Sequence, residues 1–285
     1  MTFKLAVIKL GCIASSPLTD LIFDERAERD DVEVRVFATG AKMDVDSSRT
    51  LMEIVREYKS NLILLTSPNA SLEGPTIARE ILQELGTYAI SISDAPSKKA
   101  WYVKDESGKQ VIQIPERQGF IIVSSDSMIG ARAEFLDPTE MVLFNSDALK
   151  VLAVGGVIRA IQNIIGNVIS DIKSGKQPEL PRVILDAEMA LTYANFRNPY
   201  ASAKAYASLK IAEAVAGVTS KACFKIKESK EYIPIAAAGH EMMRAAAKLA
   251  DEAREIEKAN DSVHRSPHGT DGRIKSKNGL MDKPR

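Results

Sequence analysis

The chain has 285 residues, 45% of them hydrophobic, and its 38 basic and 38 acidic side chains give a formal net charge of zero. That length suits one large domain or an α/β domain with a helical companion, and the balanced charge excludes a whole-molecule field that would gather nucleic acid or an anionic membrane. Cys12 and Cys223 stand far apart with no CxxC pair, and neither a signal peptide nor a bilayer-spanning apolar run is evident, so the expectation is a cytoplasmic protein with free thiols.

Residues 4–10 form a short apolar run that suits a strand buried on both faces and closed by Gly11. Ser15 or Ser16 then offers an N-cap, Pro17 a first turn, and Leu18, Leu21 and Ile22 a helical spacing. This reads as the opening of a doubly wound sheet, in which ligands sit at the carboxyl ends of strands beside a helix N-terminus. Taken alone it reads sooner as a βα unit with no special ligand, because the further glycines of a dinucleotide fingerprint are missing.

Residues 32–37 alternate as a half-buried strand, a helix runs from the caps between Asp44 and Ser48 to about Tyr58, and 61–66 is the most apolar strand. A helix over 75–85 and a fourth strand over 88–93 follow. The alternation predicts a parallel sheet with right-handed crossovers. Three polar loops, 11–17, 66–69 and 93–96, would then converge on one sheet edge and could cradle a planar ligand. Ser, Pro, Asn and Asp are also ordinary turn formers.

Residues 100–104 and 110–114 flank a turn and predict a β-hairpin inserted in the sheet domain, with Trp101 packed locally or in a subunit contact. A strand over 120–123 follows. Asp137 suits an N-cap, Pro138 a first helical position, and Glu140 a capping-box return to the cap. Apolar residues from 141 to 172 predict one long helix or two stacked ones, with a break or a close backbone approach at Gly155 and Gly156, since each glycine costs roughly 1 kcal/mol in a helix. Residues 175–181 are a linker, 183–185 is ambiguous, Asn198 and Pro199 open a helix to about Ala216, 222–226 is a strand or an extended link, and an alanine-rich helix begins near Ile233.

The fold class is therefore α/β: a parallel Rossmann-like sheet with an inserted β-hairpin, followed by a helical bundle part. The expected division is a sheet domain over 1–136 with the hairpin near 97–118, a helical domain over 137–258, and a tail over 259–285 packed on the surface or on a neighbouring subunit.

His240 and Glu241 do not open a zinc motif, because the position four beyond His240 is Arg244, and His264 with His268 lacks supporting ligands, so no metal is expected. No Ser-His-Asp order, GxSxG elbow or phosphate-binding loop is present. What remains is chemistry that needs positioning more than acid and base groups, such as hydride transfer.

Ser-Pro-Asn at 67–69, Asp-Ala-Pro at 94–96, Met-Ile-Gly-Ala-Arg at 128–132 and Glu-Phe-Leu-Asp-Pro-Thr-Glu-Met at 134–141 become familiar together with the blocks at 144–147, 232–235, 240–242, 252–261 and 266–269. From first strand to tail the chain closely resembles the coenzyme F420-dependent methylenetetrahydromethanopterin dehydrogenases of methanogenic and related archaea. The resemblance implies reversible hydride transfer between 5,10-methylenetetrahydromethanopterin and C5 of the deazaflavin F420, giving the 5,10-methenyl cation, in methanogenesis and one-carbon metabolism. It also implies a homohexamer built as a trimer of dimers; the balanced charge and the lack of a spanning apolar run give the expectation of no nucleic acid and no membrane as partner.

Such a site must stack two ring systems with the reacting carbons roughly 3 to 3.5 Å apart. The positions expected against the coenzyme are Gly11, Cys12, Ile13, Ser15, Ser16, Thr66, Ser67, Pro68, Asn69, Ser93, Ala95, Pro96, Met128, Ile129, Gly130 and Arg132. Ser15, Ser16, Lys42 and Arg132 suit its phosphate and glutamate tail, Arg132 being equally able to pair with Glu134 or Asp137. Asp94, Asp126, Glu134 and Asp137 are the carboxylates expected to stabilise the pterin cation, and each is also readable as a cap or surface charge. The alternatives are a nicotinamide or flavin dehydrogenase, and a non-catalytic metabolite-binding oligomer.

Overall fold

The computed structural model describes residues 2–130 and 132–285; Ala131, inside the 128–132 block, lies outside the described residues. The chain divides into two compact units. The first holds the residues up to Val123 with Ile161–Ile184 and Gly269–Arg273, and the second holds Ser124–Ala160, Leu185–His268 and Ile274–Arg285.

The first unit is built on β1 (Phe3–Lys9), β2 (Val32–Ala38), β3 (Leu62–Ser67), β4 (Tyr88–Asp94), β7 (Gln118–Val123) and β8 (Arg182–Leu185), in the order β2-β1-β3-β4-β7-β8. The first five pair in parallel register, for example Val7↔Leu64 and Leu64↔Ile90. β8 joins at the edge, where the Phe120 N–H donates to the Pro181 carbonyl at 2.7 Å. Gly119 permits that approach, since a Cβ there would stand 2.7 Å from the same oxygen.

Helices α1 (Val45–Tyr58) and α2 (Glu73–Leu85) cover one sheet face. Leu51, Met52, Val55, Ala78, Ile81 and Leu82 meet Ala6, Ile8, Ile63 and Leu65, each set following the period of its element. Leu5, Val7 and Leu64, on the alternate positions, are buried as well, which is why these strands read as unbroken apolar runs. The expected hairpin is present as β5 (Tyr102–Lys104) and β6 (Gln110–Ile112), its turn held by Asp105, which accepts from the backbone N–H groups of Ser107 and Lys109. Trp101 closes the one-turn helix α3 (Lys98–Trp101) instead of opening a strand. It is 1% exposed and stacks on Phe120 at 5.1 Å, so it packs locally.

The second unit is helical: α4 (Pro138–Val154), the start of α5 (Val157–Lys173), α6 (Ala187–Ala194), α7 (Pro199–Lys225) and α8 (Ser229–Ala259). The long apolar stretch does break at its paired glycines. Gly156 has φ +95°, and a Cβ on it would lie 2.2 Å from the Ala190 carbonyl. α7 continues nine residues past Ala216, through the stretch expected to be extended, because Ala222 is small enough to bury against Tyr232 and Ala236. Helix α6 had no counterpart in the expectation, although Asp186 caps it by accepting from the Met189 N–H at 2.9 Å. Near the C-terminus, Arg265 and Lys277 exchange backbone hydrogen bonds at 2.8 and 3.0 Å, folding the segment back on itself.

Gly156→Ala is expected to lower the unfolding free energy by about 3 kcal/mol or more, combining left-handed strain with a backbone clash. Gly175→Ala, at φ +73° with nothing within 4 Å of a new Cβ, should cost only about 1 kcal/mol. Equal losses in thermal melts of the two variants would contradict the close-approach account.

Candidate functional site

In the first unit β1 lies between β2 and β3, so the direction of winding reverses there, at the switch point where such sheets usually bind ligands. The Leu10 N–H donates to the Thr66 carbonyl at 2.9 Å, and the Ser16 and Thr66 hydroxyls share a hydrogen bond of 2.9 Å. Gly11 turns the chain at φ +70°, with space for a Cβ already taken by Met43 Sδ at 2.6 Å and Pro68 Cδ at 3.2 Å. Ser67 pairs in register with Ser93, which brings the third loop alongside. The three loops expected to converge therefore do so.

Their side chains are less available than their types suggest. Ile13, Ser15, Ser16, Thr66, Ser67, Pro68, Ser93 and Asp94 are buried, while Cys12, Asn69, Ala95 and Pro96 keep exposed surface. Asp94 accepts from the Ala95 N–H, and Ser97 accepts from the Ala70 N–H at 2.8 Å. The Ser93 hydroxyl, at the end of β4, is buried without a hydrogen-bond partner.

The expected helix after Gly11 is not formed. Residues Ser16–Leu18 make one 3-10 turn, and the chain continues in turns. Ser15 sits at φ −69°, ψ −22° and makes no capping hydrogen bond, whereas an N-cap needs an extended backbone. Leu21, required on the buried stripe, is 52% exposed. No helix N-terminus is therefore available to Ser15 and Ser16 for anion binding.

In the second unit, the Ser127 hydroxyl donates to the Ala212 carbonyl at 2.7 Å, and the Thr219 hydroxyl donates to the Met128 carbonyl at 2.9 Å. Gly130, at φ +59°, lets this strand of chain lie on α7, since a Cβ would stand 2.8 Å from the Thr219 backbone. Met128 and Ile129 are half-buried. Arg132 stacks on the Tyr232 ring at 3.6 Å and donates to the Ile226 carbonyl at 3.2 Å, just past the end of α7. The Tyr232 hydroxyl donates to Glu134 at 2.8 Å, which holds that exposed carboxyl below its usual range, with Arg132 adding to the effect. Asp126 is fully buried. Asp137 caps α4 by accepting from the Glu140 N–H at 2.8 Å.

The other half of the expected capping box is absent, because the Glu140 carboxylate turns to His240. The His240 Nδ1 lies 3.3 Å from Glu140 Oε2, and the imidazole packs against Phe144 at 4.7 Å and Phe135 at 4.9 Å. Burial lowers the His240 pKa, although Glu140 pulls it up. The pair forms part of a cavity of about 350 Å³ lined by Glu140, Leu143, Phe144, Asp147, His240, Glu241 and Arg244. Burial raises the Asp147 pKa, while Lys150 and Arg244 oppose the shift. The spacings 140, 144, 147 on α4 and 240, 244 on α8 could mark one face of each helix, but no local signal pairs residues a hundred positions apart.

Among the described residues no group of three or more His, Cys, Asp or Glu side chains could hold a metal ion, and no single helix is long and apolar enough to cross a membrane.

The family model for methylene-5,6,7,8-tetrahydromethanopterin dehydrogenase matches residues 3–285. The F420-dependent methylenetetrahydromethanopterin dehydrogenase of Archaeoglobus fulgidus is 50% identical over 284 residues, and that of Methanothermobacter thermautotrophicus 48%, each alignment covering 100% of both chains. A solved structure of an F420-dependent methylene-tetrahydromethanopterin dehydrogenase, in complex with methylene-tetrahydromethanopterin and coenzyme F420, matches with a TM-score of 0.91 and 42% identity over 100% of both chains.

His264 is also lowered by burial, with Arg159 and Arg197 adding to the shift. With both imidazoles depressed, the folded protein holds fewer protons than the unfolded chain as pH falls through about 6.5, so stability present above that value is lost below it. The denaturant midpoint should fall between about pH 7.5 and 5.5, and His240→Gln should show a smaller fall. An identical fall in the variant would remove His240 from the account.

Proposed function

We infer the reaction from kinship, since the chain belongs to the methylene-5,6,7,8-tetrahydromethanopterin dehydrogenase family. It is an F420-dependent methylenetetrahydromethanopterin dehydrogenase activity: an oxidoreductase function of methanogenesis that moves hydride reversibly between the pterin's methylene carbon and the deazaflavin. The full-length match at about half identity carries this reading.

The residues at the ends of β1, β3 and β4 fit the coenzyme. The edge between β1 and β3 is a switch point, the usual place for a planar ligand in such a sheet. Cys12, Asn69, Ala95 and Pro96 offer accessible surface there, and the buried Ser93 hydroxyl is a polar group still to be satisfied. Gly11, Ile13, Ser15, Ser16, Thr66, Ser67 and Pro68 would form the rigid floor beneath it, and Lys42, exposed just beyond, suits the anionic tail. F420 supplies the two-electron acceptor when bound, taking hydride at C5 and a proton from solvent. The chain's part is to orient the two ring systems and keep water from between them. Met128, Ile129, Gly130 and Arg132 complete the proposed coenzyme set, and Asp94, Asp126, Glu134 and Asp137 stand as the proposed electrostatic groups.

We further propose a cytoplasmic homohexamer from an archaeal source, with the 259–285 tail packed on the surface or a neighbouring copy. Val142, Phe224 and Met281, 63%, 70% and 90% exposed, are apolar surface of the kind that subunits cover.

Purified protein mixed anaerobically with methylenetetrahydromethanopterin and F420 should bleach the oxidised deazaflavin absorbance, and a parallel mixture with NADP should show no nicotinamide reduction. Folded protein that leaves the band intact across pH and salt would refute the assignment.

A further inference from the structure

Ala70 lies in the loop after β3, and both of its backbone groups are held by side chains of other elements. Its N–H donates to the Ser97 hydroxyl at 2.8 Å, at the end of the 3-10 turn Ala95–Ser97 that follows β4. Its carbonyl accepts from the Arg79 guanidinium and, at 3.5 Å, from the Thr76 hydroxyl, both on α2. The loops after β3 and β4 are thereby joined at one buried residue. Asn69 beside it is fixed in turn, since its Oδ1 accepts from the Ser71 N–H at 3.0 Å and from the Ser71 hydroxyl at 2.6 Å.

Arg79 makes its contact at a cost in desolvation. Its other hydrogen bonds go to the Pro75 carbonyl and the Thr76 hydroxyl, each at 3.2 Å, and its guanidinium lies over the Trp101 ring at 4.7 Å. All of these partners are neutral. The carboxylate that acts on it is Glu80, exposed and next in the chain, and burial pushes the Arg79 pKa down to about 10, which leaves the group charged at neutral pH. Trp101 stacks in turn on Phe120 of β7, and its Nε1 has no hydrogen-bond partner, so packing holds the ring in place. A methionine would cover the same ring with no charge to desolvate. What the guanidinium adds is direction: a planar fork seated on Trp101 that sets where the Ala70 carbonyl stands.

We propose that Arg79 is a positioning residue for the coenzyme: acting through Ala70, with Trp101 as its seat and Ser97 as the second tie, it fixes the Asn69 and Pro96 surfaces that orient the deazaflavin ring. The proposal rests on the reading above that these loops face F420. Arg79 acts through the loop backbone rather than by touching either ring. Transfer between two carbons is sensitive to small misplacements of the ring, so a loop that shifts is felt in coenzyme binding and in turnover.

The test joins steady-state kinetics, with F420 and the pterin varied separately, to equilibrium dialysis of F420 and thermal melts, all on the full-length protein. Arg79→Met keeps the apolar cover and removes the hydrogen bonds. Its Kd and KM for F420 should rise about tenfold and its kcat should fall, while the KM for methylenetetrahydromethanopterin changes about twofold or less. Arg79→Lys, which keeps the charge and a donor but not the planar fork, should fall between Arg79→Met and the wild type. Ser97→Ala should give the same selective rise at smaller size, which keeps the test standing if Arg79→Met folds poorly. Leu82→Ala, which opens the core beneath the same helix, controls for instability: it should lower the melting temperature and leave both KM values within about twofold. Equal rises for both substrates, no rise for either, or the F420 rise reproduced by Leu82→Ala would overturn the proposal. Asn69→Ala, on the loop itself, separates this role from the reading beneath it. A raised KM for F420 there with none in Arg79→Met removes the positioning role alone, and no change in either variant removes the coenzyme from these loops. Wild-type protein that never bleaches F420 would instead overturn the activity.

Discussion

A parallel strand flanked on one side by its successor and on the other by the strand after that is a constraint from which a site follows. β1 has β2 at one edge and β3 at the other, so the connections leave it in opposite directions. The hydrogen bond from Leu10 N–H to the Thr66 carbonyl holds the ends of β1 and β3 together, and the Ser16–Thr66 hydroxyl bond ties the loop after β1 to the end of β3. Gly11 makes this close packing possible, since an L side chain would meet both left-handed strain and the Met43 side chain. The buried hydroxyls behind it stiffen this edge of the sheet. Rigid edges of this kind are what a reaction limited by orientation requires.

Much of this sheet was legible because its signals are local and redundant. Strands buried on both faces show as apolar runs, and Asp44, Asp137 and Asn198 announced helices that exist, each accepting from a backbone N–H two or three residues on. Residues 15–24 misled because the same residue types, serine then proline then leucines, serve a buried loop as well as a cap. What separated the two cases was Ser15's backbone conformation and burial, neither of which a pattern records. The extension of α7 was hidden for the opposite reason. Ala222-Cys-Phe has no strong preference, and the burial of Ala222 against Tyr232 decided the matter from outside.

The polar positions divide in a similar way. Residue type identified which loops matter, while the structure shows which atoms in them are already committed. Asp137 caps a helix and Glu134 takes a tyrosine hydroxyl; Arg132 is seated on the Tyr232 ring and the last carbonyls of α7. Glu140 illustrates the converse. A capping-box reading assigned its side chain to Asp137, three residues away, yet the carboxylate lies against His240, an encounter of two helices that only packing creates.

The Glu140–His240 pair shows how side-chain packing sets local electrostatics in a chain whose overall charge is balanced. A carboxylate paired with a lysine or arginine would be well fixed and electrostatically spent. One hydrogen-bonded to a neutral imidazole is fixed at less cost to its charge, provided the imidazole resists protonation. The wedging of His240 between Phe135 and Phe144 supplies that resistance, since burial among phenyl rings disfavours the cation more than Glu140 favours it. The aromatic packing of α4 against α8 and the electrostatics of the cavity are thus one arrangement, in which apolar neighbours keep a histidine neutral so that a carboxylate can remain effectively negative.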